Sequence, residues 1–177
     1  MRVKLFTYLK NTDLHAISAT EAIRSYMKFT DLNCLKRYQV WEFDIDSDAS
    51  NLDDLIQQIV SDSYYLVNSN KQSYFLNKLP QPKVQNNQEV FLLTVEKKFH
   101  QGEHLIEEKI TEKTGIQLKN LKQYLLWEIH VKAQHPLEFL KKQVETILGP
   151  TESTENGLLV NRFYETYQFV DKELIYH

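Results

Sequence analysis

The sequence predicts an α+β protein made of two tandem two-layer α/β sandwich units, with helices on one face of a mostly antiparallel sheet. Three observations lead there. The segment Leu32–Ile45 returns 86 positions later as Leu118–Val131, with six of fourteen positions identical and both tryptophans, Trp41 and Trp127, in one slot. Self-similarity at a fixed offset is the signature of a repeated unit. Segments of period two and period 3.6 alternate in the same order in both halves. The 177 residues also divide naturally at that offset into units of roughly 80–85 residues, small enough to need association for a full core. The first unit is assigned to residues 1–79, a linker to 80–88 and the second unit to 89–177.

Val3, Leu5 and Thr7 alternate with Lys4, Phe6 and Tyr8, which predicts the first strand. Ser18 followed by Glu21 reads as a capping box. It opens a helix with Ala19, Ala22, Ile23, Tyr26 and Met27 as its apolar stripe. Residues 33–45 alternate again, Trp41, Phe43 and Ile45 on one face and Tyr38, Val40 and Glu42 on the other. Ser50 with Asp53 marks the next helix start, and Leu52, Leu55, Ile56, Ile59 and Val60 supply its buried face. A short strand near 73–76 closes the unit. The linker holds Pro80 and Pro82 among polar residues.

The second unit starts with Val90, Leu92 and Thr94, aligned with Val3, Leu5 and Thr7 at an offset of 87. A helix is predicted over 103–114, with Gly115 as its C-cap glycine. A long strand follows over 120–131. Pro136 suits a first helical turn, where its missing N–H is harmless. Leu137, Leu140, Val144, Ile147 and Leu148 form that helix's core stripe. Residues 149–157 are a polar loop without a counterpart in the first unit, and the last strand covers about 162–170. The second strand face, with Phe6, Tyr8, Tyr38, Val40, Tyr124 and Leu126, is apolar and is expected to pack unit against unit or chain against chain.

Composition excludes several classes. The net charge of −3 comes without a basic stripe, so nucleic acid is not an expected partner. The single cysteine, Cys34, cannot form an intrachain disulfide and fits a reducing cytoplasm. Its counterpart in the repeat is Asn120, which argues against a nucleophile. No apolar stretch reaches the roughly 18 residues of a membrane span, and no signal peptide is visible, so the protein is expected to be cytoplasmic.

The string Leu158-Leu-Val-Asn161-Arg-Phe-Tyr-Glu165-Thr-Tyr167 resembles the ending of PurS, the small subunit of bacterial phosphoribosylformylglycinamidine synthase, typically Leu-Leu-x-Asn-Pro-x-x-Glu-x-Tyr. Tyr65-Leu-Val-Asn68, continuing to Tyr74, is a second, weaker version. Leu35-Lys36 with Glu42-Phe-Asp-Ile45, and Leu121-Lys122 with Glu128-Ile-His-Val131, are similar to the family's Val-Arg-x-Gly-Lys-x-x-Glu-Leu-x-Ile strand. The proline after Asn is Ser69 in one copy and Arg162 in the other, the strand Gly-Lys is Tyr38-Gln39 and Tyr124-Leu125, and Gln72 stands where the second copy has Glu165.

The resemblance implies a ferredoxin-like arrangement and a small non-catalytic subunit. Such subunits dimerise and bridge the synthetase and glutaminase subunits of the purine-biosynthetic complex; a tandem chain would be its own dimer. Asn68, Tyr74, Asn161, Glu165 and Tyr167 would then dock partners, with Trp41, Trp127, Tyr38 and Tyr124 in unit–unit or core packing.

No side-chain constellation reads as catalytic, and no cofactor or metal site is expected. His100 and His104 have helical metal spacing but no third ligand, and Gly102 between them places the pair at a helix start. His130 and His135 are expected at the surface. The carboxylates Asp44, Asp46, Asp48, Asp53 and Asp54 lack calcium-loop spacing and suit a helix N-terminus. Glu42 and Glu128 share one slot, which invites an acid/base reading; a solvent-side or interface carboxylate is the simpler account. Asn68 and Asn161 suit turns. The competing function is a tandem regulatory module that binds a small metabolite between its two units.

Overall fold

The computed structural model describes residues 1–46, 51–83, 87–99, 102–148 and 158–177. The elements are β1 (Arg2–Leu9), α1 (Leu14–Ser25), β2 (Leu32–Ile45), α2 (Leu52–Ser63), β3 (Gln72–Leu76), β4 (Gln88–Lys97), α3 (Glu103–Thr114), β5 (Leu118–Lys132), α4 (Leu137–Ile147), β6 (Glu165–Phe169) and α5 (Lys172–Ile175). The six strands form one antiparallel sheet in the order β3-β1-β2-β5-β4-β6. The fold is therefore α+β, as the alternation of periods predicts.

Both halves run strand, helix, strand, helix, strand, and their sheets join edge to edge through β2 and β5. In that ladder Gln39 faces Leu125, Tyr38 faces Leu126 and Val40 faces Tyr124. Gln39 and Leu125 lie 86 positions apart, the offset of the repeat, so they mark a topological two-fold through the sheet centre. The flanking strands follow a different offset. Arg2 faces Asp44 and Val90 faces His130. These partners lie 86 apart in β2 and β5 but 88 apart in β1 and β4, which corrects the 87 read from Val3, Leu5 and Thr7. A one-residue slip exchanges the two faces of a strand. Val3 and Leu5 accordingly sit in a core under the helices, whereas Val90 and Leu92 belong to the opposite face.

The helical face carries two cores that cross the boundary between the units. Ala16 and Ile23 of α1 pack with Leu93, Trp127, Leu140 and Val144 of the second unit. Trp41, Phe43, Ile56 and Ile59 pack with Ile110 of α3 and Leu118 of β5. The two units share their interior, as expected of halves too small to bury enough surface alone.

Helix boundaries follow the local chemistry. Asp13 caps α1, its Oδ1 accepting from the N–H groups of His15 and Ala16 at 3.0 and 3.2 Å. Helix α1 thus begins a turn before the Ser18–Glu21 pair, its buried residues are Ala16, Thr20 and Ile23, and Tyr26 and Met27 are exposed. Helix α3 has the predicted limits, with Gly115 left-handed at φ 71°. In α4 the predicted stripe is buried except for Leu137. The Ser50 helix start and the 149–157 loop lie outside the described residues.

The other sheet face is covered from within the chain by segments of both units, so the expected packing takes the form of the second unit's C-terminal segment clustered with the first unit's strands. Phe6, Val40, Val90, Leu92, Tyr124 and Leu126 pack beneath Leu79, from the end of the first unit, and Ile175 and Tyr176 of the C-terminal segment. A parallel bridge between Leu79 and Tyr176 ties these straps together. Helix α5, which the sequence reading ends too early to include, lies on this face, whereas α1–α4 lie on the other. No helix among the described residues is long and apolar enough to cross a membrane.

Candidate functional site

Strand β2 alternates Cys34, Lys36, Tyr38 and Val40 onto the strapped face, and β5 brings Glu128 and His130 opposite Lys36 and Cys34. The straps bury this end of the face. Glu128 is 1% exposed and His130 2%, so both are interior residues and not at the surface. Lys36 Nζ donates to Glu128 Oε1 at 2.7 Å, and His130 Nε2 hydrogen-bonds the same oxygen. Burial alone would raise the Glu128 pKa; the bonds from His130 and Lys36 outweigh it and hold the carboxyl below its ordinary value.

Two tyrosines share that carboxylate's field. Tyr38 is pushed far up by burial and then by Glu128, and Tyr176 likewise. The Tyr176 hydroxyl is sealed from solvent and makes no hydrogen bond of normal length. A charged cluster of this kind is costly to desolvate and stands only while each charge keeps its partner. Such clusters beside a cavity are candidate sites.

A cavity adjoins the cluster. The β1–β2 ladder ends at Thr7–Gln39, one pair short of the equivalent β4–β5 ladder, which runs on to Glu96–Tyr124. Beyond Thr7 the strands part, and residues 80–83 roof the gap. The space measures about 570 Å3 and is lined by Tyr8, Asp13, Lys36, Arg37, Tyr38, Phe75 and Glu128, among others. Ligand sites typically occupy ~300–1,000 Å3. Tyr8 and Phe75 stack with centroids 5.0 Å apart and planes 15° apart, and Tyr38 meets Tyr8 edge-on at 6.4 Å. Arg37 is held by Asp13 through bonds of 3.2 and 3.3 Å and lies over the Trp127 ring. Lys36, Arg37 and Tyr38 come from the first half and Glu128 from the second. The joint thus assembles a polar set that neither half holds alone.

The mirror position differs. Glu42, in the slot of Glu128, remains 17% exposed and pairs with Lys4 and Arg2 at 3.4 and 3.7 Å. The Tyr124 hydroxyl donates to Glu42 at 3.3 Å. Arg2 and Asn120 also bind Asp44, whose pKa falls to about 2 through those two hydrogen bonds. Among the described residues, this end of the face is a part-exposed network of ion pairs.

The residues singled out by the family resemblance lie elsewhere. Asn68 and Asn161 sit in matching turns. Asn68 Oδ1 accepts from Asn70 N–H, and Asn161 Oδ1 from Phe163 N–H, each at 3.2 Å. The Gln72 and Glu165 side chains reach back to the N–H of Asn68 and Asn161 at 2.8 and 2.7 Å. Lys10 and Lys98 each donate to the carbonyl that follows the Asn. Tyr74 packs on one helical-face core and Tyr167 on the other. These turns stand at opposite edges of the sheet, on β3 and β6; the first leads into the strand that supplies Phe75 to the cavity, and the second lies at the far edge. Trp41 and Trp127 are interior on the helical face, Tyr124 is buried on the strapped face, and Tyr38 is half-buried there.

His104 is exposed and pairs with Glu107 and Glu108, while His100 lies outside the described residues, as does Asp48. His135 is half-exposed beside Asp31. No group of three metal-type ligands occurs among the described residues. Cys34 is half-buried, and burial pushes its thiol pKa up, so the thiolate is disfavoured. Sequence reasoning missed the cluster because its members are about 90 positions apart. The usable signal was the repeated Lys and Glu: if the two copies pair antiparallel about their centres, Lys36 must fall opposite Glu128.

No protein-family model, no curated protein and no solved structure matches the chain.

Proposed function

We propose that this chain is a non-catalytic accessory subunit: a covalent pseudo-dimer of two PurS-like units from a tandem duplication, acting by assembly with the synthetase and glutaminase subunits of a purine amidotransferase. The carrying observation is the ladder centred on Gln39 and Leu125, flanked at both sheet edges by the same Asn-anchored turn. In this reading the partners dock on the turns at Asn68 with Tyr74, and at Asn161 with Glu165 and Tyr167, in the cytoplasm. The test is size-exclusion chromatography of the purified chain with both subunits from the same cell, ATP and glutamine present. Co-elution is expected and should be lost when Asn161 and Glu165 are both changed to Ala. Separate elution of all three proteins would overturn the reading.

A second reading is favoured by the roofed cavity: a module that binds a small metabolite where its two units meet. The cavity is walled by the first half and residues 80–83, and Glu128 reaches it from the second half, which supports this reading. A ligand that raises the thermal midpoint of the isolated chain is the expected result.

A further inference from the structure

Resting on that second reading, we infer that the cavity between β1 and β2 takes a planar aromatic monocarboxylate. Shape comes first. Tyr8 and Phe75 present a flat stacked pair, and Tyr38 stands edge-on to it. Rings in offset-stacked and edge-to-face arrangements attract beyond simple area burial, so such walls favour a flat ring over a saturated one.

Hydrogen-bonding capacity comes second. Both carboxylates of the lining are already engaged, Glu128 by Lys36 and His130 and Asp13 by Arg37. An ammonium carries three donors and a guanidinium five. Lys36 uses one on Glu128, and Arg37 uses two on Asp13. The capacity left over on the charged side chains is therefore for donating, with Lys83 adding a further ammonium, while Asn11 and Gln81 can donate or accept. A ligand that brings acceptors meets the charged part of this lining.

Charge decides which acceptor. Three cations and two carboxylates line the space, a net charge of +1. A carboxylate neutralises it. A phosphate monoester, at about −1.5 to −2, would leave excess negative charge beside Glu128 and Asp13. An aromatic amine would meet three cations with no unengaged anion. The mirror position has the same Tyr–Glu couple, but Glu96 stands there in the place of Tyr8 and Gln168 in the place of Phe75, so the aromatic walls are not repeated.

The test titrates the full chain with 2-naphthoate, cyclohexanecarboxylate, phenyl phosphate and benzylamine by fluorescence and calorimetry. 2-Naphthoate should bind with a Kd below about 1 mM, and the other three at least about tenfold more weakly. Lys83→Glu, at an exposed linker position, and Tyr8→Leu should each weaken 2-naphthoate about tenfold, the ligand-free thermal midpoint of Lys83→Glu staying unchanged. Tighter binding of phenyl phosphate, benzylamine or the saturated acid would overturn the ligand class and leave the cavity reading standing. No binding by any probe, or 2-naphthoate binding that neither variant alters, would overturn both.

Discussion

Lys36 and Glu128 oppose each other across the central ladder, as do Glu42 and Lys122, yet the Glu128 carboxylate is 2% exposed and that of Glu42 17%. The same two residue types in the same two slots have different surroundings. Lys36→Met removes the ammonium from an interior carboxylate and leaves it the hydrogen bond to His130, and a loss of about 2–3 kcal/mol is expected. Lys122 is exposed, and Glu42 has Lys4, Arg2 and Tyr124 as partners, so Lys122→Met should change stability by less than about 0.5 kcal/mol. Urea midpoints of the two variants check the contrast. Equal effects would mean that the roof does not isolate Glu128.

Acid should unfold the protein partly through these carboxylates. Glu128 and Asp44 both have folded-state pKa values below their ordinary ones, Asp44 at about 2. A depressed carboxyl stabilises the fold above its unfolded-state pKa, and that contribution disappears as pH falls through the folded value. The thermal midpoint should therefore drop below about pH 4.5. Glu128→Gln should flatten the upper part of the fall and Asp44→Asn the part approaching pH 2. Thermal scans across a pH series, with wild type alongside, measure both.

Alkali acts through the tyrosines. Burial, and then the facing glutamate, raises the pKa of Tyr38, Tyr124 and Tyr176. A raised folded-state value is stabilising below the unfolded pKa of about 10 and is lost as pH climbs beyond it. In a rapid pH jump to about 11, phenolate absorbance should fall short of the ten tyrosines present by at least three, and recover them only as the chain unfolds. Immediate ionisation of all ten would show that the face is open to water.

Both tryptophans are interior, 3% and 2% exposed, with their Nε1–H groups buried and unbonded. Trp41→Ala and Trp127→Ala should each cost about 3–5 kcal/mol through the cavity left behind. Trp→Phe removes volume but also an unsatisfied donor, so a cost below about 1.5 kcal/mol is expected at either site. Chemical denaturation followed by circular dichroism reads out all four variants.

Gly115 has open space where a Cβ would stand, so its requirement is conformational and not steric. Its φ of 71° belongs to the left-handed region that L side chains rarely adopt. Gly115→Ala should cost about 1 kcal/mol and Gly115→Asn less, measured as shifts in midpoint.

Most of the element order was readable because it depends on neighbours in sequence. Alternation marks β1, β2 and β5, and a left-handed glycine ends α3 where the periodicity stops. The repeat of Trp41 and Trp127 points to two like units. Local signals failed where two of them competed. Asp13 and Ser18 both suit a cap, and what separates them is that Ala16 and Ile23 must reach the second unit's core. The offset of β4 differs by one from that read in the sequence, since Val90-Phe91-Leu92-Leu93 is apolar on both faces and has no intrinsic register.

Periods, caps and the internal likeness are consequences of chain chemistry over a few residues, and they sufficed for α+β class and for two similar halves. Which edges pair, what roofs the sheet and which charges end up dry depend on contacts between residues tens of positions apart. A lysine and a glutamate look alike in both copies of the repeat. Leu79, Ile175 and Tyr176 close over one end of the sheet and not the other, and the lower dielectric beneath them turns one copy's ion pair into a buried cluster beside a cavity.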